Sequence, residues 1–401
     1  MTTPRLQLSA MMFIQYFVWG SWYVTLATYL GQTLRFEGSQ IGMAYGTAAL
    51  AAMISPFFVG MVADRFFATE KILSVLHLAG GVLMYFASHL KAFSTFYPVL
   101  LGYTLCYMPT LALTNSLSFH HMDDPSREFP RVRVLGTIGW IVAGLVVGRL
   151  GLESSATPLK IAAGSSLFLG LFCLTLPHTP PKHHGSRITV GAVLGLEALR
   201  LMKDWSFTVF VLGSFLVCIP LQFYYSFTNL FLNESGVAEP ASKMTLGQMS
   251  EIFFLLVMPY LFNRLGVKKM ILIGIGCWVA RYLLFSFGNN GSLVWMFYLG
   301  ILLHGVCYDF FFVTGQIFVD QKAPLAIRGA AQGFIAFVTL GVGMFIGAWA
   351  SGEIVQRNGV LAGQGEILGH NWHQIWLIPA LGALGVFLLF AVFFRPETEP
   401  V

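Results

Sequence analysis

The chain has 401 residues, of which 56% are hydrophobic and only 10% are charged, and its formal net charge is +5. A soluble protein of this length cannot bury so much apolar surface, so the composition excludes a soluble domain and indicates a polytopic membrane protein. The positive charge requires no nucleic-acid partner if the basic residues lie beside anionic lipid.

A helix needs about 20 apolar residues to cross a bilayer. We predict twelve such segments, near 7–30, 41–62, 72–90, 96–119, 132–149, 159–177, 206–232, 244–262, 269–287, 294–319, 328–354 and 374–394. They are continuously apolar, whereas the strands of a membrane barrel alternate. The sequence therefore predicts an all-α membrane protein with twelve transmembrane helices.

The longest polar interruption begins with HTPPKHHGSR at His178 and continues as an amphipathic stretch to Asp204. It predicts an N-terminal six-helix bundle at 1–177, a cytoplasmic linker with an amphipathic helix at 178–204, and a C-terminal six-helix bundle at 205–401. Sixteen of the Lys and Arg residues fall in the loops on the side of the termini and six on the other side. The positive-inside rule therefore predicts that both termini are cytoplasmic.

In the first half, the second predicted helix ends with GMVADR, Gly60 to Arg65. Pro130 suits a first helical turn, which would place Arg133 one turn further into the fifth helix. As a terminal residue, Arg133 could also simply extend its charge to the membrane surface. Gln15, Asn115 and, in the second half, Gln332 are further polar residues at mid-membrane positions.

In the second half, Gln222 and Tyr225 are three residues apart, as are Gln248 and Glu251, so each pair shares one helix face. The glutamines could bind a solute or only join helices by hydrogen bonds. Glu251 lies nearer the outer end of its helix and could instead reach interfacial water.

Asp309 lies within the apolar run from Trp295 to Val319, where a charge costs about 2.5–3.5 kcal/mol on insertion scales. Acids at this depth usually face a solute or proton path, so Asp309 is predicted to carry a proton. The alternative is a structural acid paired with Arg133 or Arg281. Arg281 itself is interpreted as a charge that stabilises its bundle.

Five longer stretches stand out: WGSW at Trp19–Trp22, YMPTLALTNSLSF at Tyr107–Phe119, FPRVRVLGTIGW at Phe129–Trp140, TLGQMSEIFF at Thr245–Phe254, and HGVCYDFFFVTG at His304–Gly315. Together they resemble the nucleoside:proton symporter family of the major facilitator superfamily. GMVADR resembles the first half of the superfamily's loop 2–3 motif, in which Gly permits close helix contact and Asp and Arg brace the cytoplasmic gate. That comparison implies gate roles for Gly60, Asp64 and Arg65.

The resemblance implies two six-helix bundles with a solute site near the midplane. By position, the family's solute-site residues carry over to Arg133, Thr137, Gln222, Gln248, Glu251, Tyr308 and Asp309, with Asp309 and Glu251 as proton-coupling residues. Two departures concern Tyr225, where the family leads us to expect Asn, and Trp140, where it leads us to expect Phe. Both enlarge an aromatic wall and are included among the substrate-binding candidates.

A nucleoside offers a flat base, hydrogen-bonding edges and ribose hydroxyls, so aromatic rings, amides and carboxylates suit it. The predicted function is proton-coupled nucleoside uptake across the inner membrane by rocker-switch alternating access. The expected partners are a nucleoside, a proton and membrane lipids, without nucleic acid, cofactor or metal, and the expected state is a monomer. The alternatives are a sugar or other small polar solute, or an uncoupled nucleoside facilitator.

An embedded enzyme would need a catalytic constellation. The sequence contains no HExxH, GxSxG or GxxxxGK[ST], and the five cysteines lie within predicted spans without CxxC spacing. The histidine pairs His120–His121 and His183–His184 fall in loops, and His304 is interpreted as the only histidine well inside a span. We therefore expect a transporter rather than an enzyme.

Overall fold

The computed structural model describes residues 3–58, 67–180, 196–361 and 367–396. Within these ranges the protein is all-α apart from one short hairpin, and twelve long helices can be followed. The predicted gate residues Gly60, Asp64 and Arg65 lie outside the described residues. The predicted fold class, an all-α polytopic membrane protein, is confirmed.

The first six helices are α1 (Thr3–Trp22), α2 (Gly38–Phe58), α3 (Thr69–Ala87), α4 (Phe93–His120), α5 (Pro125–Arg149) and α6 (Thr157–Cys173). After α1, the chain continues as a short helical piece, Leu26–Thr28, and a π-helical turn, Tyr29–Thr33. The predicted first span, 7–30, is therefore not one regular helix, because it changes geometry near its C-terminal end.

The later helices are α7 (Trp205–Glu234), α8 and α9 within Pro240–Phe287, α10 (Val294–Lys322), α11 (Arg328–Arg357) and α12 (Trp372–Phe393). Gly266 separates α8 from α9, because its φ of 70° and ψ of 172° leave helical geometry. A positive φ of this size costs glycine little and other residues much more, so this glycine permits the sharp turn between the two helices.

Eight segments of the described chain are long and apolar enough to cross a membrane, and one of them contains both α8 and α9. The helix α6 is apolar but shorter. Two segments include π-helical stretches, Asp309–Val313 in α10 and Phe337–Gly343 in α11. Such stretches widen a helix locally and are often found at functional sites.

The chain divides into two compact units, Met1–Thr189 with Glu239–Ser242, and Val190–Ala238 with Lys243–Val401. In the first unit, α1 packs against α5 and α6, and α3 packs against α4 and α6. Buried Met, Leu and Ile side chains fill the space among them, including Met11, Leu73 and Leu113. In the second unit, α7 packs against α11 and α12.

A short antiparallel hairpin, Gly359–Leu361 with Ile367–His370, precedes α12. Glu234, the last residue of α7, contacts both the second strand of this hairpin and the start of α12. One of its carboxylate oxygens lies 2.9 Å from Nδ1 of His370 in the strand, and the other accepts from the indole N–H of Trp372 in α12 at 2.8 Å. The carboxylate therefore ties the connection before α12 to the end of α7.

Of the predicted linker at 178–204, the structure describes 178–180 and 196–204. The described part of the predicted amphipathic helix, Leu196–Lys203, is a 3-10 helix. Asp204 then caps α7, because its carboxylate accepts from the Phe207 N–H at 2.8 Å and lies 2.8 Å from Lys322 Nζ. Burial alone would raise the pKa of Asp204, but the hydrogen bonds from Lys322 and the Phe207 N–H lower it.

Asp204→Ala should lower the free energy of unfolding by about 1–2 kcal/mol at neutral pH, because an N-cap is lost together with the Lys322 pair. Asp204→Asn is the matched control, since Asn still caps a helix and only the charge is lost. Because the folded-state pKa of Asp204 is lowered, its stabilisation is complete above the ordinary pKa of about 3.9 and is lost as the pH falls through the lowered value.

Thermal unfolding in detergent at neutral pH and in acid measures both variants against the unaltered protein. We expect the difference between the unaltered protein and Asp204→Ala to shrink in acid. A constant difference at all pH values would contradict the ionic part of this assignment.

Candidate functional site

Three of the predicted substrate-binding residues, Arg133, Thr137 and Trp140, are half-buried and follow one another at helical spacing on α5. Residues spaced by three and four positions share one face of a helix. Because α5 begins at Pro125, with Asp124 as its cap, Arg133 lies about two turns inside the helix. The expectation that Pro130 belongs to the first turn is wrong.

Aromatic side chains of α1 surround this face of α5. The Arg133 guanidinium carbon lies 4.1 Å from the centre of the Tyr16 ring, a distance typical of cation–π contacts. Trp140 meets Trp19 edge to face, with ring centroids 5.4 Å apart. It also contacts Tyr23, the residue that follows α1, edge to face at 6.4 Å. The enlarged aromatic wall expected from Trp140 is therefore packed against α1.

The first unit also contains a buried polar network. Gln15 donates to the Thr110 hydroxyl at 2.7 Å, its carbonyl oxygen lies 2.8 Å from His77 Nε2, and Ser166 Oγ lies 3.2 Å from His77 Nδ1. The Tyr107 hydroxyl donates to the Gln15 backbone oxygen at 2.6 Å. The Thr110 hydroxyl in turn donates to the Tyr107 backbone oxygen.

His77 lies inside α3 and is 1% exposed. The interpretation of His304 as the only histidine well inside a span is therefore wrong. An isolated histidine in the apolar run of the third predicted helix was the available signal. The network joins α1, α3, α4 and α6, and its satisfied hydrogen bonds are those expected of buried polar groups.

In the second unit, Gln222 on α7 is 2% exposed and donates to Ser226 Oγ at 2.8 Å. Tyr225 is half-buried and meets the Tyr224 ring edge to face at 5.7 Å. Gln248 and Glu251 are half-buried on α8, and Tyr308 is half-buried on α10. The helix geometry gives Gln248 and Glu251 one face in common, as their spacing predicted.

Asp309 is 1% exposed and begins the π-helical stretch of α10. Its Oδ2 atom has no hydrogen-bond partner among the described residues. Six residues earlier, Leu303 separates the α-helical pieces Val294–Leu302 and His304–Tyr308 while its own φ and ψ stay in the helical region. Asp309 therefore lies where α10 changes from α-helical to π-helical geometry, a feature that is often found at functional sites.

Arg281 on α9 is fully buried, and its Nε donates to the Gly300 backbone oxygen at 2.9 Å. Its guanidinium carbon lies 4.2 Å from the centre of the Tyr224 ring. Within the described part of the chain, neither of its Nη atoms has a hydrogen-bond partner, and no ion pair joins Arg281 to Asp309. The alternative in which Arg281 neutralises Asp309 is not supported by this geometry.

Sequence reasoning did not assign a role to His304, which the structure places beside a predicted site residue. Its side chain is 2% exposed, and its Nε2 lies 3.8 Å from the Glu251 carboxylate. The ring stacks on Tyr224 with centroids 5.0 Å apart and contacts Tyr225 at 6.0 Å. His304, Glu251 and the two tyrosines therefore form one cluster from three helices.

The apolar helices and the similarity to solved transporter structures make this chain a multi-pass membrane transporter with the fold of the major facilitator superfamily. The family model described as "Nucleoside H+ symporter" matches residues 1–399. The chain belongs to this family of nucleoside transporters, as its resemblance predicted.

Individual relatives agree with this assignment. The chain is 43% identical to the putative nucleoside transporter YegT of Escherichia coli K12, over 98% of this chain and 95% of the relative. It is 34% identical to the xanthosine permease of the same organism, over 98% and 97% of the two chains. The crystal structure of nucleoside transporter NupG is similar with a TM-score of 0.89 at 31% identity, covering 99% of this chain and 100% of that chain.

Proposed function

We propose that this protein takes up nucleosides together with protons by rocker-switch alternating access. The observation that carries the proposal is the buried Asp309 carboxylate, which begins a π-helical stretch of an apolar helix and has one oxygen without a hydrogen-bond partner among the described residues. An isolated charge is costly inside a membrane, and a proton removes that cost. A carboxylate in this setting can therefore couple proton uptake to the movement of a solute.

The nucleoside part of the proposal is supported by the family and by the side chains available. Nucleosides are named in the description of the matching family and in the names of the relatives. Trp140 and Tyr225 offer aromatic faces for a base, on which stacking contributes about 1–3 kcal/mol per base in other proteins. Gln222 and Gln248 offer amides for a base edge, and Glu251 offers acceptors for ribose hydroxyls.

Arg133, Thr137 and Tyr308 complete the proposed substrate-binding set. In this mechanism, Asp309 with Glu251 binds the proton and the solute on the outer side and releases both inside. Coupling requires that the affinity for the solute differ between the two protonation states. Gly60, Asp64 and Arg65 would brace the cytoplasmic gate.

We further propose an inner-membrane location with both termini cytoplasmic, because the basic residues are concentrated in the loops of that side. The proposed organisation is an N-terminal bundle at 1–177, a linker at 178–204 and a C-terminal bundle at 205–401, acting as a monomer.

The test is uptake of radiolabelled uridine and adenosine into vesicles that contain the purified protein. We expect accumulation when the outside is acidic and none after a protonophore collapses the gradient. A gradient of one pH unit is worth 1.36 kcal/mol per proton, so one proton per solute supports about tenfold accumulation. The plateau therefore also measures the proton stoichiometry.

Exchange of nucleoside without accumulation would leave an uncoupled facilitator and remove the proton role. Folded protein that transports neither compound would contradict the proposed substrate. A screen of sugars and other small polar solutes would follow, because the same amides and acids suit them.

A further inference from the structure

The position of His304 in α10 points to a role beyond packing. It is the first residue of the α-helical piece His304–Tyr308, and its side chain is 2% exposed. Its ring lies nearly parallel to Tyr224, with an interplanar angle of 20°, and nearly perpendicular to Tyr225, at 86°. Two rings of α7 thus restrain the plane of the imidazole.

In that orientation, Nε2 faces α8. It lies 3.8 Å from Glu251 Oε2, and the Glu251 side chain is 27% exposed. This distance is longer than a direct hydrogen bond, but hydrogen bonds at functional sites are often long without the substrate and shorten when it binds. The imidazole therefore lies on the buried side of a carboxylate that remains accessible.

The two ring nitrogens have different surroundings. Nδ1 has no hydrogen-bond partner among the described residues, whereas Nε2 faces the carboxylate. A buried N–H group without a partner is rarer than a buried acceptor without one. The tautomer with its proton on Nε2 leaves only an acceptor unsatisfied and directs an N–H at Glu251.

The titratable and charged groups near the ring come from four helices. Tyr224 and Tyr225 belong to α7 and Glu251 to α8, while Arg281 on α9 lies against the Tyr224 ring. On α10 itself, Tyr308 has its ring centroid 6.0 Å from that of His304. Glu251 is the carboxylate in this set that His304 contacts, so the effect of the imidazole N–H falls on that side chain.

We propose that His304 is a positioning residue for Glu251, which it holds through its Nε2–H in the orientation that binds solute. The inference rests on the proposed function, because it assigns Glu251 to the solute site. It adds a residue that acts through Glu251 rather than by touching the nucleoside. It also predicts that the affinity for solute depends more on the N–H donor of His304 than on its aromatic ring.

Two substitutions separate the donor from the ring. His304→Phe keeps an aromatic ring but removes the N–H, whereas His304→Gln keeps an amide N–H and removes the ring. We expect His304→Phe to weaken uridine binding about twentyfold, within the range for a hydrogen bond to a charged group. His304→Gln should weaken it less than about threefold on the same scale.

The measurement is the dissociation constant of uridine for purified full-length protein in detergent, for each variant, for Glu251→Gln and for the double variant His304→Phe/Glu251→Gln. If His304 acts through Glu251, its substitution should change the affinity less than about twofold once Glu251 is altered, because coupled residues are non-additive. A purely structural role would give additive losses.

His373→Phe is the matched control. This substitution also replaces a histidine by phenylalanine in the second compact unit. The His373 ring packs on Phe287, with centroids 5.0 Å apart, and lies beside Ser286. We expect its affinity for uridine to remain that of the unaltered protein.

Three outcomes can be told apart. If the unaltered protein binds no nucleoside, the proposed function fails. If it binds uridine and the two losses are additive, the role of His304 is overturned while the proposed function stands. If His304→Phe binds as well as the unaltered protein, the N–H has no role and the inference is likewise overturned.

Discussion

Asp309→Asn is expected to reduce proton-driven accumulation of nucleoside to simple equilibration. Asn has nearly the same size as Asp but cannot take up a proton. The variant therefore loses the titratable group and keeps the size of the side chain. Asp309 is 1% exposed and its Oδ2 has no hydrogen-bond partner in the described chain. Replacing Asp309 should therefore break no hydrogen bond of that oxygen within the described residues, and it removes a charge that is costly at this depth.

Two measurements on the same vesicles define the result. Accumulation of uridine under an inward proton gradient should fall to an inside-to-outside ratio of about 1, since the coupling free energy of 1.36 kcal/mol per pH unit is no longer used. Exchange of labelled for unlabelled uridine at equal pH should persist, because it needs no net proton movement. The midpoint of thermal unfolding should not decrease.

Asp320→Asn provides the matched control on the same helix. Asp320 lies about three turns beyond Asp309, its side chain is 52% exposed, and its carboxylate lies 3.3 Å from Arg328. An exposed ion pair contributes at most about 1 kcal/mol, so accumulation should be unchanged. Undiminished proton-driven accumulation in Asp309→Asn itself would show that another group carries the proton.

The fold was predictable because the membrane constrains it strongly. Each crossing needs about 20 apolar residues, and the segments that contain them are visible by composition alone. The bounds were less predictable, as the fifth helix shows. It begins at Pro125 rather than near residue 132, because Asp124 caps a polar first turn that carries no hydropathy signal.

The predicted site residues could be located on their helix faces, since Arg133, Thr137 and Trp140 follow the helical period. Their roles stay predictions. What the sequence could not provide is which helix faces another. His304 lies beside Glu251 because α8 and α10 pack closely, and that contact joins residues 53 positions apart. Helical spacing applies only within one helix.

The π-helical stretch of α10 could not be predicted from the sequence either. The residues of its π-helical stretch, DFFFV, form an apolar run that also suits a regular helix. The structure nevertheless departs from regular α-helical geometry there, and these residue types alone do not predict that departure. His77 is different, because a lone histidine in an apolar run is a visible signal.

The second large effect concerns Gly305, at the crossing of α8 and α10. A Cβ atom there would lie 2.5 Å from the Ser250 backbone carbon and 2.6 Å from the Glu251 nitrogen. Backbone atoms cannot move aside as a flexible side chain can, so Gly305→Ala must separate the two helices. We expect the free energy of unfolding to fall by about 3 kcal/mol, at the upper end of typical overpacking costs.

Gly385→Ala on α12 is the control, because a Cβ there meets nothing within 4 Å. Alanine favours a helix over glycine by about 1 kcal/mol, so this variant should be as stable as the unaltered protein or more so. Thermal unfolding in detergent compares the two substitutions directly. Equal stability of Gly305→Ala and the unaltered protein would mean that α8 and α10 do not approach so closely.

Binding measurements on Gly305→Ala connect this crossing to the proposed site. Ser250 Oγ donates to the Leu302 backbone oxygen at 2.6 Å, so the same crossing fixes the residue beside Glu251. Moving α8 away lengthens the distance from Glu251 to His304, and uridine affinity should fall by about tenfold or more, in line with the loss of a charged hydrogen bond. Nucleoside binding of normal affinity in a destabilised Gly305→Ala would show that Glu251 need not be held against α10, which would remove the geometric basis for its role.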